Sequence, residues 1–178
     1  NGSSRYRDAG NGSRHHCQVP LHEWFDQAAK SRDQHQPHVV RFAADGTVLW
    51  TYTGSDATAA QAYAVAQQND DLIVTGRTQS FSGHEDILLL RLTLDGSLVW
   101  SSAFGGVGTD IGKAVVGTGD GRFLLAGYTD SYGTYDHSTQ RITYHAYLVA
   151  FDLDGDTLWT RTLGDTLFDT HLYAMQRM

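Results

Sequence analysis

From residue 38 onward the apolar positions fall into short runs, of which 62–68, 71–78, 86–92 and 97–104 are the clearest. Runs of this length bounded by turn residues predict β-strands, here two successive hairpins. Ile87 to Leu90 is apolar at each position, which predicts a strand covered on both faces. Asp-Gly pairs at 45–46, 95–96 and 154–155 sit between apolar runs. That pattern is the short-range signature of a tight hairpin turn, because the glycine supplies a positive φ at no steric cost.

The same pattern recurs along the chain. Val40-Arg41-Phe42-Ala43-Ala44-Asp45-Gly46-Thr47-Val48-Leu49-Trp50 shares its frame with Leu90 to Trp100 and Val149 to Trp159. The tryptophans lie 50 and then 59 residues apart, and the longer period is explained by an insertion between Tyr132 and Tyr144. Asp71 to Thr78 matches Arg122 to Thr129, and Gly105 and Asp110 recur as Gly164 and Asp169. Each period therefore holds four strands, with Trp50, Trp100 and Trp159 on the fourth. A large ring there suits packing between neighbouring units.

Four-stranded units repeating every ~40–50 residues predict a β-propeller, in which each blade buries both faces against its neighbours. A β-helix would have shorter coils, and a sandwich would not return the same Trp in the same frame. The expected fold class is all-β, a β-propeller of four-stranded antiparallel blades, with about two complete blades plus partial ones. The expected organisation is a polar arm over 1–37 and propeller repeats over 38–178. Within the repeats we place a partial blade at 38–53, blades at 61–104 and 112–163, and a partial blade at 170–178.

Asp86 to Trp100, Phe104 to Asp110 and Leu124 to Thr129 together resemble the tandem propeller repeats of many secreted bacterial proteins. More distantly, the Gly-x-x-x-Trp strand is similar to that of quinoprotein propellers. The first resemblance implies an extracellular or cell-surface location and no assigned activity. No quinone-binding residue of the second is matched, so no cofactor is expected.

Composition narrows the function classes. The net charge is −7, from 13 basic and 20 acidic residues. Nucleic acid is therefore not the expected partner, since phosphate binding needs a basic footprint. Cys17 is the only cysteine, which excludes an internal disulfide. No apolar run approaches the ~20 residues of a membrane helix. The incomplete blade count predicts a partner of the same kind: copies of the chain closing a ring or running into a filament, or further blades of a longer chain.

The arm is rich in Ser, Arg, Asp, His and Gln, with an apolar island from Val19 to Phe25. Leu21 to Lys30 could form a short helix, and Val19, Leu21, Trp24 and Phe25 are candidates for docking on a neighbour. Asn1 and Asn11 head N-x-S patterns and are candidate glycosylation sites if the protein is exported. His15, His16, Cys17 and His22 are the only cluster of soft-metal ligand types, and their spacing is irregular for zinc. No metal site is expected.

Catalytic chemistry finds no candidates. Asp152, Asp154 and Asp156 alternate around a Gly, but the order and distal Glu of a calcium loop are missing, so turn chemistry is expected. Asp110 and Asp169 follow Gly-rich loops and are expected to accept hydrogen bonds from the loop backbone. Gly105-Gly106-Val107-Gly108 lacks the Lys and helix of a phosphate cradle. No nucleophile elbow is present, and we expect a non-enzymatic structural or interaction module. The insertion supplies the candidate ligand or partner surface: Tyr132, Tyr135, Asp136 and Tyr144. Aromatic rings with a carboxylate suit a glycan or a protein, which makes a carbohydrate-binding propeller the second expectation and a quinoprotein-like enzyme a distant third.

Overall fold

A computed structural model describes residues 35–54, 59–79, 84–137, 140–165 and 167–177. The arm residues Val19, Leu21, Trp24 and Phe25, and both Asn1 and Asn11, lie outside these. The described chain is all-β. A hairpin, β1 (His38–Phe42) and β2 (Val48–Thr53), precedes β3 (Ala60–Gln68), β4 (Asp71–Thr78), β5 (Asp86–Thr93) and β6 (Leu98–Phe104). Then follow β7 (Asp110–Gly117), β8 (Arg122–Thr129), the two-residue strands β9 (Tyr135–Asp136) and β10 (Arg141–Ile142), β11 (His145–Asp152) and β12 (Thr157–Leu163).

The strands form two four-stranded antiparallel blades, β3-β4-β5-β6 and β7-β8-β11-β12, beside the two-stranded β1-β2. The inner strand β7 packs across β3, β4 and β5 of the preceding blade. The architecture is that of β-propeller blades, each lying against the next.

Side-chain alternation along a strand explains why the central strands are apolar throughout. Leu72 and Val74 of β4, with Leu88, Leu90 and Leu92 of β5, face Val39 of the first hairpin. Ile73, Ile87 and Leu89 face the other way, into a cluster with Val115, Phe123, Leu125, Tyr147, Val149 and Phe151 of the second blade. Both faces of the first complete blade are thus buried. Each such aliphatic side chain contributes about 1.5–3 kcal/mol of burial.

The Asp-Gly turns share one geometry. Gly46, Gly96 and Gly155 have φ of 86°, 86° and 88°. In the outer strand the ladder skips one residue immediately before each tryptophan, so that Arg41 pairs with Trp50, Arg91 with Trp100 and Ala150 with Trp159. The turn carboxylates accept backbone N–H groups: Asp45 from Thr47 at 2.9 Å and Asp95 from Ser97 at 3.2 Å. In the third turn Asp152 accepts from both Asp154 and Asp156 at 3.0 Å, so this triplet closes a turn.

These bonds hold turn carboxylates below the usual 3.8, through the Thr47 backbone bond for Asp45 and the Thr93 hydroxyl for Asp95. A carboxylate depressed on folding contributes stability above its unfolded pKa, and that contribution is lost as pH falls through the folded pKa. Lowering the pH below 3.8 is therefore expected to reduce the protection of the Thr47 and Ser97 amides, measured as exchange relative to an unstructured peptide at the same pH, before the blade cores open. Unchanged protection at these amides down to pH 2 would contradict it.

Residues 170–177 carry no strand, in contrast to the partial blade expected at 170–178. They lie against the second blade, where Thr170 N–H donates to Tyr144 O at 2.7 Å and Leu172 N–H to Gly127 O at 3.3 Å. Among the described residues no neighbouring strand offers them a full ladder, which is why they remain irregular.

Candidate functional site

Two places combine exposure with a built geometry. The first is the contact by which one blade keys onto the next. Trp50 donates its Nε1–H to Leu94 O at 2.8 Å, and its ring covers Gly96, where an added Cβ would come within 2.7 Å of ring carbons. Trp100 repeats this on the following turn, donating to Leu153 O at 3.2 Å with its ring over Gly155. Arg41 and Arg91 reinforce the same two carbonyls through their Nη1 groups. An indole on a glycine turn, oriented by one hydrogen bond, is thus the repeated lock between blades.

Both ends of this series stand open among the described residues. Trp159 is 45 % exposed, and Gly46 has nothing within 4 Å of where its Cβ would be. Trp159 borders a groove of about 310 Å³ lined also by Thr118, Asp120, Arg122, Phe123 and Leu158. Among the described residues, one half of the lock is unfilled at each end of the series.

The second place lies on the inner strands. In β3 the ladder skips Tyr63, between Ala62 and Ala64, and in β7 it skips Lys113, between Gly112 and Ala114. Such bulges re-aim a side chain out of the ladder. Each is opposed by a glycine, Gly76 or Gly127, whose added Cβ would collide with the carbonyl of Gln61 or Ile111. The two bulged residues meet, with Lys113 Nζ 3.7 Å from the Tyr63 ring centroid and 5.7 Å from that of Tyr128. Tyr63 donates its hydroxyl to Gln61 Oε1 at 2.6 Å, which also accepts from Arg77 Nε at 2.9 Å. Arg77 is ion-paired with Glu85. Tyr128 stacks on His171 at 4.1 Å, and Tyr144 meets both edge-on at 5.5 and 5.4 Å.

Of the insertion aromatics, Tyr144 packs on Tyr128 and His171. Tyr132 and Tyr135 are half-exposed, the first against Tyr147 and the second edge-on to His137. Asp136 lies in β9, opposite Arg141 of β10 in the backbone ladder. Tyr144 turns away from them into the inner cluster. Arg141 pairs with Asp169, which accepts Tyr144 N–H at 2.9 Å, whereas the equivalent Asp110 is fully buried and accepts Gly106 N–H at 2.7 Å. The loop-bracing role expected of both aspartates thus applies to Asp110 alone; Asp169 instead fastens the insertion. Tyr63, Lys113 and Arg77 had no sequence signal as a site, because a bulge in β3 and β7 brings them together. The paired glycines before Arg77 and Tyr128 were the available clue. Among the described residues no group of three or more His, Cys, Asp or Glu could hold a metal ion, and no helix is long and apolar enough to cross a membrane.

Residues 67–98, spanning β4, β5 and the turn into β6, match a family described as a domain of unknown function (DUF5122) beta-propeller. This match supports a β-propeller repeat protein. No curated protein matches the chain.

Proposed function

We propose that the chain is a non-enzymatic interaction module that works by receiving a further propeller blade on its open face. The observation that carries this reading is the contrast among equivalent tryptophans: Trp50 and Trp100 are seated on the next blade's glycine turn, and Trp159 is exposed beside an unfilled groove. A blade carrying an Asp-Gly outer turn has the matching shape and a carbonyl to accept from the Trp159 indole. A second copy offers such a turn at Gly46, and so would further blades of a longer chain. Head-to-tail contacts of this kind close into a ring or continue as a filament. An extracellular or cell-surface location belongs to the same reading and draws on the resemblance to secreted repeats.

The test is the particle mass in solution by light scattering across a range of concentrations. Assemblies larger than the 19.6 kDa chain that disperse in Trp159→Ala are expected. Because Trp159 is exposed and seats on no blade among the described residues, this substitution should change the unfolding free energy of the dispersed chain by less than about 0.5 kcal/mol. Trp100→Ala removes a seated ring and its hydrogen bond and should cost about 2 kcal/mol or more. A monomer at all concentrations, with no affinity for an added blade of the same repeat, would overturn the proposal.

A further inference from the structure

We propose that the inner cluster around Lys113 and Arg77 is a binding site for the carboxylate of an acidic saccharide. Three observations converge. The bulges free Tyr63 and Lys113 from the ladder and turn them toward each other. Nothing in the packing of the blade cores calls for either residue there, since neither belongs to a buried cluster. Lys113 forms no salt bridge among the described residues, in a protein whose net charge is −7.

The electrostatics make that ammonium hungry for an anion. Burial first, and then the Arg77 guanidinium, lower the Lys113 pKa below its usual 10.5. Glu85, the acid beside Arg77, is already paired with that guanidinium. The other groups around it, Tyr63 and Tyr128, present ring faces, and burial raises the Tyr128 hydroxyl above its usual 10.0, so it remains a neutral phenol. A partly desolvated cation beside a second cation is costly, and the Coulomb attraction of an incoming carboxylate offsets that cost.

The surroundings select a sugar over a bare ion. Beside Arg77 a cavity of about 270 Å³ is lined by His35, Ala59, Gln61, Arg77, Gln79 and Glu85, near the ~300 Å³ lower end of small-molecule sites; Lys113 does not line it and joins it through Tyr63, which bonds Gln61 of the lining. The lining amides and imidazole can bond hydroxyls, while Tyr173, 63 % exposed, lies 6.2 Å from Tyr128 and offers an aromatic face to C–H groups. This site is separate from the Trp159 groove and stands or falls independently of blade docking.

The chain has two lysines, Lys30 and Lys113, so the 13Cε lysine NMR spectrum isolates the key group once Lys113→Gln identifies its signal. A glucuronate-ended oligosaccharide is titrated in, beside its neutral glucose counterpart and inorganic sulfate. The expected result is saturable movement of the Lys113 signal by the acidic sugar, a raised Lys113 pKa in the complex, and affinity that falls as pH rises through the free Lys113 pKa. Binding should weaken at least tenfold for the neutral sugar and for Lys113→Gln, and Lys113→Arg should restore most of it. An unmoved Lys113 signal, equal binding of sulfate alone, or full binding by Lys113→Gln would each overturn the proposal.

Discussion

Alanine at Gly76 or Gly127 is expected to destabilise the chain by about 3 kcal/mol or more, a larger effect than most single substitutions. The methyl carbon would strike the Gln61 or Ile111 carbonyl oxygen and lie 2.8 or 2.9 Å from its carbon. The opposing atoms are backbone, so no rotamer change relieves the clash. The relief available is removal of the bulge, and that shifts the inner strand by one residue. A one-residue slip turns each side chain to the opposite face, which would expose Ile111 and Val115 and bury Lys113. Gly121 is the control. It has φ of +86° but nothing within 4 Å of an added Cβ, so alanine there should cost only the roughly 1–2 kcal/mol of left-handed backbone. Urea unfolding of the three variants checks the ordering. Equal costs at Gly121 and Gly127 would mean that close approach is not what glycine supplies.

Phe123→Ala is expected to cost about 3–5 kcal/mol. Phe123 is fully buried, pairs across the strands with Phe151, and stacks on its ring at 5.8 Å and 20°. The cluster it belongs to joins the two complete blades, drawing Ile73, Ile87 and Leu89 from one and Val149 and Phe151 from the other. The cavity therefore opens where two sheets meet, and neither backbone can collapse into it without breaking a ladder. Against a typical total of 5–15 kcal/mol, the loss should lower the melting temperature by roughly 10 °C. Calorimetry of the variant gives the answer directly. A shift of under about 3 °C would show that the blades are held chiefly by the Trp locks.

The strand frame was legible because period-two burial and Asp-Gly turns are local signals. Ile87 to Leu90 reads as buried on both faces, and the strand is so because blades cover it from either side. The tryptophan contacts were legible as a class, from their recurrence in one frame. What escaped was non-local. The bulges at Tyr63 and Lys113 shift the phase of the alternation by one residue, but β3 and β7 are rich in Ala and Gly and short on either side of the bulge, so that shift does not stand out in the hydrophobic pattern. Tyr144 reads like Tyr132 and Tyr135 as an insertion aromatic, but its backbone is tied by Asp169 and Thr170, which directs it to Tyr128 and His171. Residues 170–177 have strand-like composition, and composition alone does not provide a hydrogen-bonding neighbour.

The inner bulges also bear on how such a repeat can diversify. At most positions of a blade the residue is dictated by a neighbour: a facing core, a ladder partner, a glycine beneath an indole. The bulged position of each inner strand is skipped by the ladder, and here it holds Tyr63 in one blade and Lys113 in the next. A duplicated blade can therefore change its residue at this position while the strand pairing is inherited unchanged. The repeat behaves as a fixed grammar with one variable letter per word, spelled out side by side along the inner strands.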